Sequence, residues 1–144
     1  SEPTIASIKK NRVEVANKIN NAFYFALHVN ASPGTGWQNA RGIEVWTSKG
    51  QTQSDIYATQ IFIALRKEFE QDFSDFKLFW RTDIADGDVD KEANFIELMS
   101  RHPSVLLEFL FMDNKADLKY LQDTKIKMRL ANILIEELTK IARQ

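Results

Sequence analysis

With 19 Lys plus Arg against 20 Asp plus Glu, the 144-residue chain has a net charge of -1 and no electrostatic draw toward nucleic acid or an anionic membrane. It has no Cys, which excludes disulfides, thiolate nucleophiles and thiolate-bound metals. No apolar run approaches the roughly 20 residues of a membrane span, so membrane insertion is not expected.

A hydrophobic content of 44% with three Pro and five Gly describes a single globular domain over residues 1–144. No secretory leader is visible, and the chain starts at Ser1 rather than Met, as a processed or cut product would.

Residues 4–20 predict a helix, with Ile5, Ile8, Val13, Ala16 and Ile19 roughly on its period. Residues 22–29 (AFYFALHV) predict a strand, and 31–40 (ASPGTGWQNA) a loop. A second strand is expected over 42–47 (GIEVWT). Ser54 reads as the N-cap of a helix whose buried stripe is Tyr57, Ile61, Leu65 and Phe69.

Residues 77–81 (KLFWR) are a third strand candidate, followed by an acidic loop over 83–90. That loop fails as an EF-hand, because Thr82, Ile84 and Ala93 stand where oxygen ligands are needed. It reads as solvated. SVLLEFLF, 104–111, has the continuous apolar character of a strand buried on both faces. The last helix, 124–142, aligns Ile126, Leu130, Leu134, Leu138 and Ile141. Strands alternating with helices predict an α/β fold with a mostly parallel central sheet and helices on both faces.

Two polar residues fall where burial is costly: His28 in AFYFALHV and Glu108 in VLLEFLF. For His28 the alternatives are a satisfied core imidazole and a metal ligand. A buried carboxylate such as Glu108 either neutralises or finds a cation, a metal or strong donors. Both lie toward the C-terminal ends of their strands, where open α/β sheets place ligands. A catalytic zinc needs three protein ligands and an open position. His28 and His102 are the only imidazoles, and His102, beside Pro103, reads as a surface residue.

AFYFALHVNAS resembles the strand in which zinc-dependent N-acetylmuramoyl-L-alanine amidases carry Ser-x-His-x-Asn, with Ala26 in place of the Ser. Arg12 and Ala16-Asn17 are similar to residues preceding that strand, and ARGIEVWTS to the next one. Residues 91–121 resemble the family's closing signature through Pro103, Glu108, Phe111, Asn114, Asp117 and Leu121, with Leu110 where many members have Gly. The wording of residues 81–95 and of FMDN is most similar to phage or prophage lysins (endolysins).

The resemblance implies a zinc-dependent peptidoglycan hydrolase acting outside the cytoplasm at the cell envelope, with His28 as a zinc ligand and Glu108 as the catalytic proton carrier. It implies that the chain is the C-terminal two-thirds of a catalytic domain. The first His and Glu ligands are expected upstream of Ser1, on a segment that would also cover an open sheet edge. Two other readings stand beside it. One is a non-catalytic peptidoglycan-binding or regulatory remnant, with Trp37 and Trp46 offering aromatic sugar contacts. The other is an assembly domain pairing with a second copy at that edge. Glu44 matches a family position to which no role is given.

Overall fold

The computed structural model describes residues 3–70, 80–83 and 87–144. Along the chain lie α1 (Ile5–Asn17), β1 (Tyr24–Asn30), β2 (Ile43–Thr47), α2 (Gln53–Glu70), β3 (Lys91–Glu92), a 3-10 turn (Ile96–Met99), β4 (Ser104–Phe111), α3 (Lys115–Gln122) and α4 (Thr124–Ala142). The strands form one sheet in the order β1-β4-β2-β3. β1 pairs with β4 and β2 with β3 in parallel, while β2 and β4 are antiparallel. The sheet is thus mostly parallel, as predicted. Of the predicted strand 77–81, residues 77–79 lie outside the described residues. Trp80 makes an isolated parallel bridge to Ile43.

β4 is the spine. Seven of its eight residues are buried, and the exception is Glu108. Strand alternation sends Val105, Leu107 and Phe109 to one face with Ile43 and Val45, where α2 and α4 cover them. The α2 residues in this core are Ala58, Ile61, Phe62, Leu65 and Phe69, and the α4 residues are Ile126, Leu130, Leu134 and Ile141. Fully burying such side chains contributes roughly 1.5–3 kcal/mol each before entropy is subtracted, so this face carries most of the stability. The opposite face holds a smaller cluster of Ala26, Leu106 and Leu98, flanked by Tyr24 and Trp46.

Three local expectations change. α2 begins one residue before Ser54, and the Thr52 hydroxyl accepts from the Ser54 N–H at 3.1 Å. The Ser54 hydroxyl instead accepts from the Ser104 N–H at 3.0 Å, fixing the start of β4. In α1 only Val13 of the expected stripe is buried and Ile5 is exposed, and the helix ends at Asn17, before the exposed Ile19. The cause is packing: α1 rests mainly on the 3-10 turn, which covers a narrow strip of helix. α3 was not anticipated. Asn114 caps it by accepting from the Ala116 and Asp117 N–H groups at 3.0 and 3.2 Å.

Two features anchor the C-terminal end of β4. The buried Asp117 carboxylate accepts from the N–H groups of Gly42 (2.7 Å) and Phe111 (3.0 Å) and from Arg41 Nε (3.1 Å). Leu110 has φ +67, in the left-handed region that non-Gly residues rarely occupy, and its N–H donates to the Gly42 carbonyl at 3.1 Å. The parallel register with β1 slips between His28 and Asn30, beside this kink. Among the described residues no helix is long and apolar enough to cross a membrane.

Candidate functional site

A row of three ionisable side chains crosses the sheet on the face away from α2 and α4. His28 of β1 stands opposite Glu108 of β4, and Glu108 stands opposite Glu44 of β2. The two residues singled out from sequence therefore meet: His28 Nδ1 lies 3.5 Å from Glu108 Oε1. His102 is elsewhere, its Nε2 3.2 Å from the Ala16 carbonyl.

Glu44 is held tightly. Its Oε1 accepts from Arg81 Nε at 2.5 Å and Lys91 Nζ at 3.0 Å. Its Oε2 accepts from Asn30 Nδ2 and Trp46 Nε1, both at 3.0 Å. Burial pushes its pKa up, but the Arg81 and Lys91 donors outweigh that and hold it below the usual range. With no lone pair to spare, Glu44 acts on the site as a fixed negative charge. Trp46 is committed to this network, with Phe95 edge-on at 5.1 Å. Trp37, by contrast, is exposed, with the Lys115 ammonium 5.5 Å from its ring centre.

Glu108 has the opposite character. Its Oε2 is buried without a hydrogen-bond partner. Burial, followed by the Glu44 charge, raises its pKa to about 7. A carboxyl poised there exchanges a proton readily at neutral pH.

A fourth residue, Glu97, completes the surroundings. It sits in the 3-10 turn, 2% exposed, and its Oε1 lies 3.4 Å from His28 Nε2 and 2.7 Å from Lys9 Nζ. Burial works to raise its pKa, but Lys9 prevails and keeps it low. His28 thus lies between an ionised carboxylate at Nε2 and one that titrates near neutrality at Nδ1. Its own pKa is lowered, chiefly by burial, with Glu97 opposing, so the ring is neutral at pH 7. A neutral imidazole has one N–H, and the ionised Glu97 is the stronger acceptor for it. That leaves the Nδ1 lone pair on the side of Glu108 and its unpartnered oxygen. A neutral imidazole nitrogen with a free lone pair is a donor that zinc accepts, and the carboxyl beside it is placed to act on a zinc-bound ligand. On the Nε2 side a cleft of about 320 Å³ opens, lined by Arg12, Tyr24, Ala26 and Glu97.

Nothing in the local sequence marks Glu97, since its 3-10 turn has no hydrophobic period and its burial comes from α1 lying over it.

The acidic loop is not solvated throughout. Asp90 is fully buried, and Asp55, Asp88 and Asp90 each offer an oxygen within 4.8 Å of the others. Among the described residues this is the only such group of three metal-ligating side chains.

The family model for N-acetylmuramoyl-L-alanine amidase matches residues 6–140. The chain belongs to this family. Solved amidases share its fold. An N-acetylmuramoyl-L-alanine amidase from Clostridium difficile 630 superposes with a TM-score of 0.70 at 20% identity, over 92% of this chain and 63% of that one. AmiC2 of Nostoc punctiforme gives 0.68 at 18% identity, over 94% and 66%. The catalytic domain of the CD27L endolysin, which targets Clostridia Difficile, gives 0.62 at 25% identity, over 95% and 64%. This amidase-family chain therefore spans about 63% of the first of these structures. A search of curated protein sequences gives no significant match.

Proposed function

We propose that this amidase-family chain carries part of the catalytic centre of a peptidoglycan hydrolase that cleaves the amide between N-acetylmuramic acid and the L-alanine of the stem peptide. The observation that carries the reading is the register pairing of His28 with Glu108, 80 residues apart in sequence yet 3.5 Å apart in space.

In this reading His28 is a zinc ligand through Nδ1, and the further ligands come from sequence ahead of Ser1. Zinc, when bound, supplies Lewis acidity toward the amide carbonyl and makes water a competent nucleophile near neutral pH. The chain's own residues do the rest. Glu97, held ionised by Lys9 and 3.4 Å from Nε2, favours the tautomer protonated there and orients the ring, as carboxylates beside metal-binding histidines do. Glu108, ionised at the start, takes a proton from the attacking water and passes it to the departing alanine nitrogen. Glu44 raises the basicity of Glu108 without touching the substrate. Such a hydrolase acts on the wall, outside the cytoplasm.

The test joins the chain to its natural upstream sequence and measures bound zinc together with the free α-amino groups released from purified peptidoglycan. Expected are zinc in the wild type and loss of release in Glu108→Ala. Full release by Glu108→Ala, or a metal content unchanged by His28→Ala, defeats the proposal.

A second reading is a wall-binding module without hydrolysis. It is favoured by one observation: among the described residues His28 is the sole imidazole in the row. Retention on peptidoglycan with no peptide release from the extended protein would select it.

A further inference from the structure

We propose that Asp55, Asp88 and Asp90, together with the Thr47 hydroxyl, form a calcium-binding site separate from the His28–Glu108 row, clamping the start of α2 to the end of β2 and to the acidic segment before β3.

The donors converge from three parts of the chain. Thr47 ends β2 and alternates with Ile43 and Val45, so it lies on the α2 face of the sheet, while Glu44 and Trp46 point to the other. Thr47 Oγ1 is 2.6 Å from Asp90 Oδ2 and 3.0 Å from Asp55 Oδ1. A hydroxyl has one hydrogen and satisfies only one of those oxygens as donor.

Outside the cluster, Asp55 Oδ2 accepts from the Thr52 N–H, and Asp88 Oδ2 accepts from Gln51 Nε2 at 2.9 Å. Asp88 Oδ1 and Asp90 Oδ1 are buried with no partner at all. Asp90 is decisive. Its side chain is fully buried, its carboxylate is one of the three that converge, and one of its oxygens is unsatisfied. Among the described residues no Lys, Arg or His pairs with any of the three aspartates.

The chemistry selects the ion. The donors are all oxygen, with no nitrogen or sulfur, which suits a hard cation and disfavours zinc. Oxygens bound to calcium lie 2.3–2.6 Å from it, so ligands on opposite sides are up to about 5 Å apart. The three carboxylate oxygens, all within 4.8 Å of one another, can be bridged by one such ion. Magnesium requires a tighter shell, about 4 Å across, and surrenders its waters reluctantly.

The full protein, stripped with EDTA, is titrated with CaCl2 and separately with MgCl2 at equal ionic strength, reading the Tm and the calcium retained in equilibrium dialysis. Wild type is expected to retain one calcium per chain, and its Tm to rise by about 5–10 °C at calcium well above Kd. His28→Ala should respond like wild type. Asp90→Asn, a near-isosteric change that also relieves repulsion, should fold and lose both responses, and Asp88→Asn should weaken them. No calcium shift in wild type, an equal shift in Asp90→Asn, or an equal or larger shift with magnesium overturns the assignment.

Discussion

His28 and Glu108 face each other across a parallel strand pair, their closest nitrogen and oxygen 3.5 Å apart, with Glu97 on the far side of the imidazole. The ring thus lies between a carboxylate fixed as an anion and one that titrates near pH 7. Most of the expected behaviour of the site follows from that asymmetry.

Glu108→Gln should reduce amide hydrolysis by the extended protein by about 10²–10⁴-fold, the usual contribution of a positioned proton carrier. The same change should stabilise the metal-free protein. The folded pKa of Glu108 is raised to about 7, so the native state favours the neutral acid. That stability is fully present below the unfolded carboxyl value and is lost as pH rises through 7, to an extent on the order of 3 kcal/mol. Urea unfolding in EDTA should find Glu108→Gln more stable than wild type at pH 8 and nearly equal to it at pH 4. Equal stability at both pH values would show that Glu108 is not strained by burial.

Glu44→Gln removes the fixed charge opposite Glu108 and leaves the nearby Arg81 and Lys91 cations. The acid limb of kcat/KM, set by ionisation of Glu108, should move to lower pH by about one unit. An unmoved limb would mean that another group sets it.

Glu97→Gln keeps shape and loses charge. Metal affinity should fall about 10–100-fold, the usual effect of removing a carboxylate that orients a metal-bound imidazole. Lys9→Met should act in the same direction through Glu97. Competition with a chromophoric chelator reads both, and unchanged affinity in Glu97→Gln removes Glu97 from the site.

Leu110 should invert a familiar ordering. Leu110→Ala keeps the strained φ of +67 and loses buried packing, at about 2–5 kcal/mol. Leu110→Gly removes slightly more side chain yet releases a backbone strain of roughly 1–2 kcal/mol. The glycine variant should therefore unfold at higher urea than the alanine variant. Asp117→Ala, which leaves three donors without their carboxylate, should cost about 3–5 kcal/mol.

Much of this architecture is legible in the residues. β4 and α4 have the bounds that the sequence predicts, because an apolar run broken by a single carboxylate and a five-residue helical stripe are strong, redundant signals. His28 and Glu108 stood out because polar groups in apolar strands are costly to bury. The site's other residues were hidden for physical reasons. Glu97 is polar, sits in one short turn, and is buried only because another helix lies above it. The closure of Asp88 and Asp90 onto Asp55 depends on long-range placement, so their loop read as solvated. α3 is eight residues long with a mixed surface, and its Asn114 cap resembles any polar loop residue.

Because the reactive row takes one member from each of β1, β4 and β2, no loop holds it and no local opening dismantles it. Its geometry survives for as long as the sheet does. Thermal inactivation of the proposed hydrolase should then coincide with cooperative melting of the whole domain, and backbone amides of β4, flanked by β1 and β2, should exchange with deuterium only at the slow rate of global unfolding.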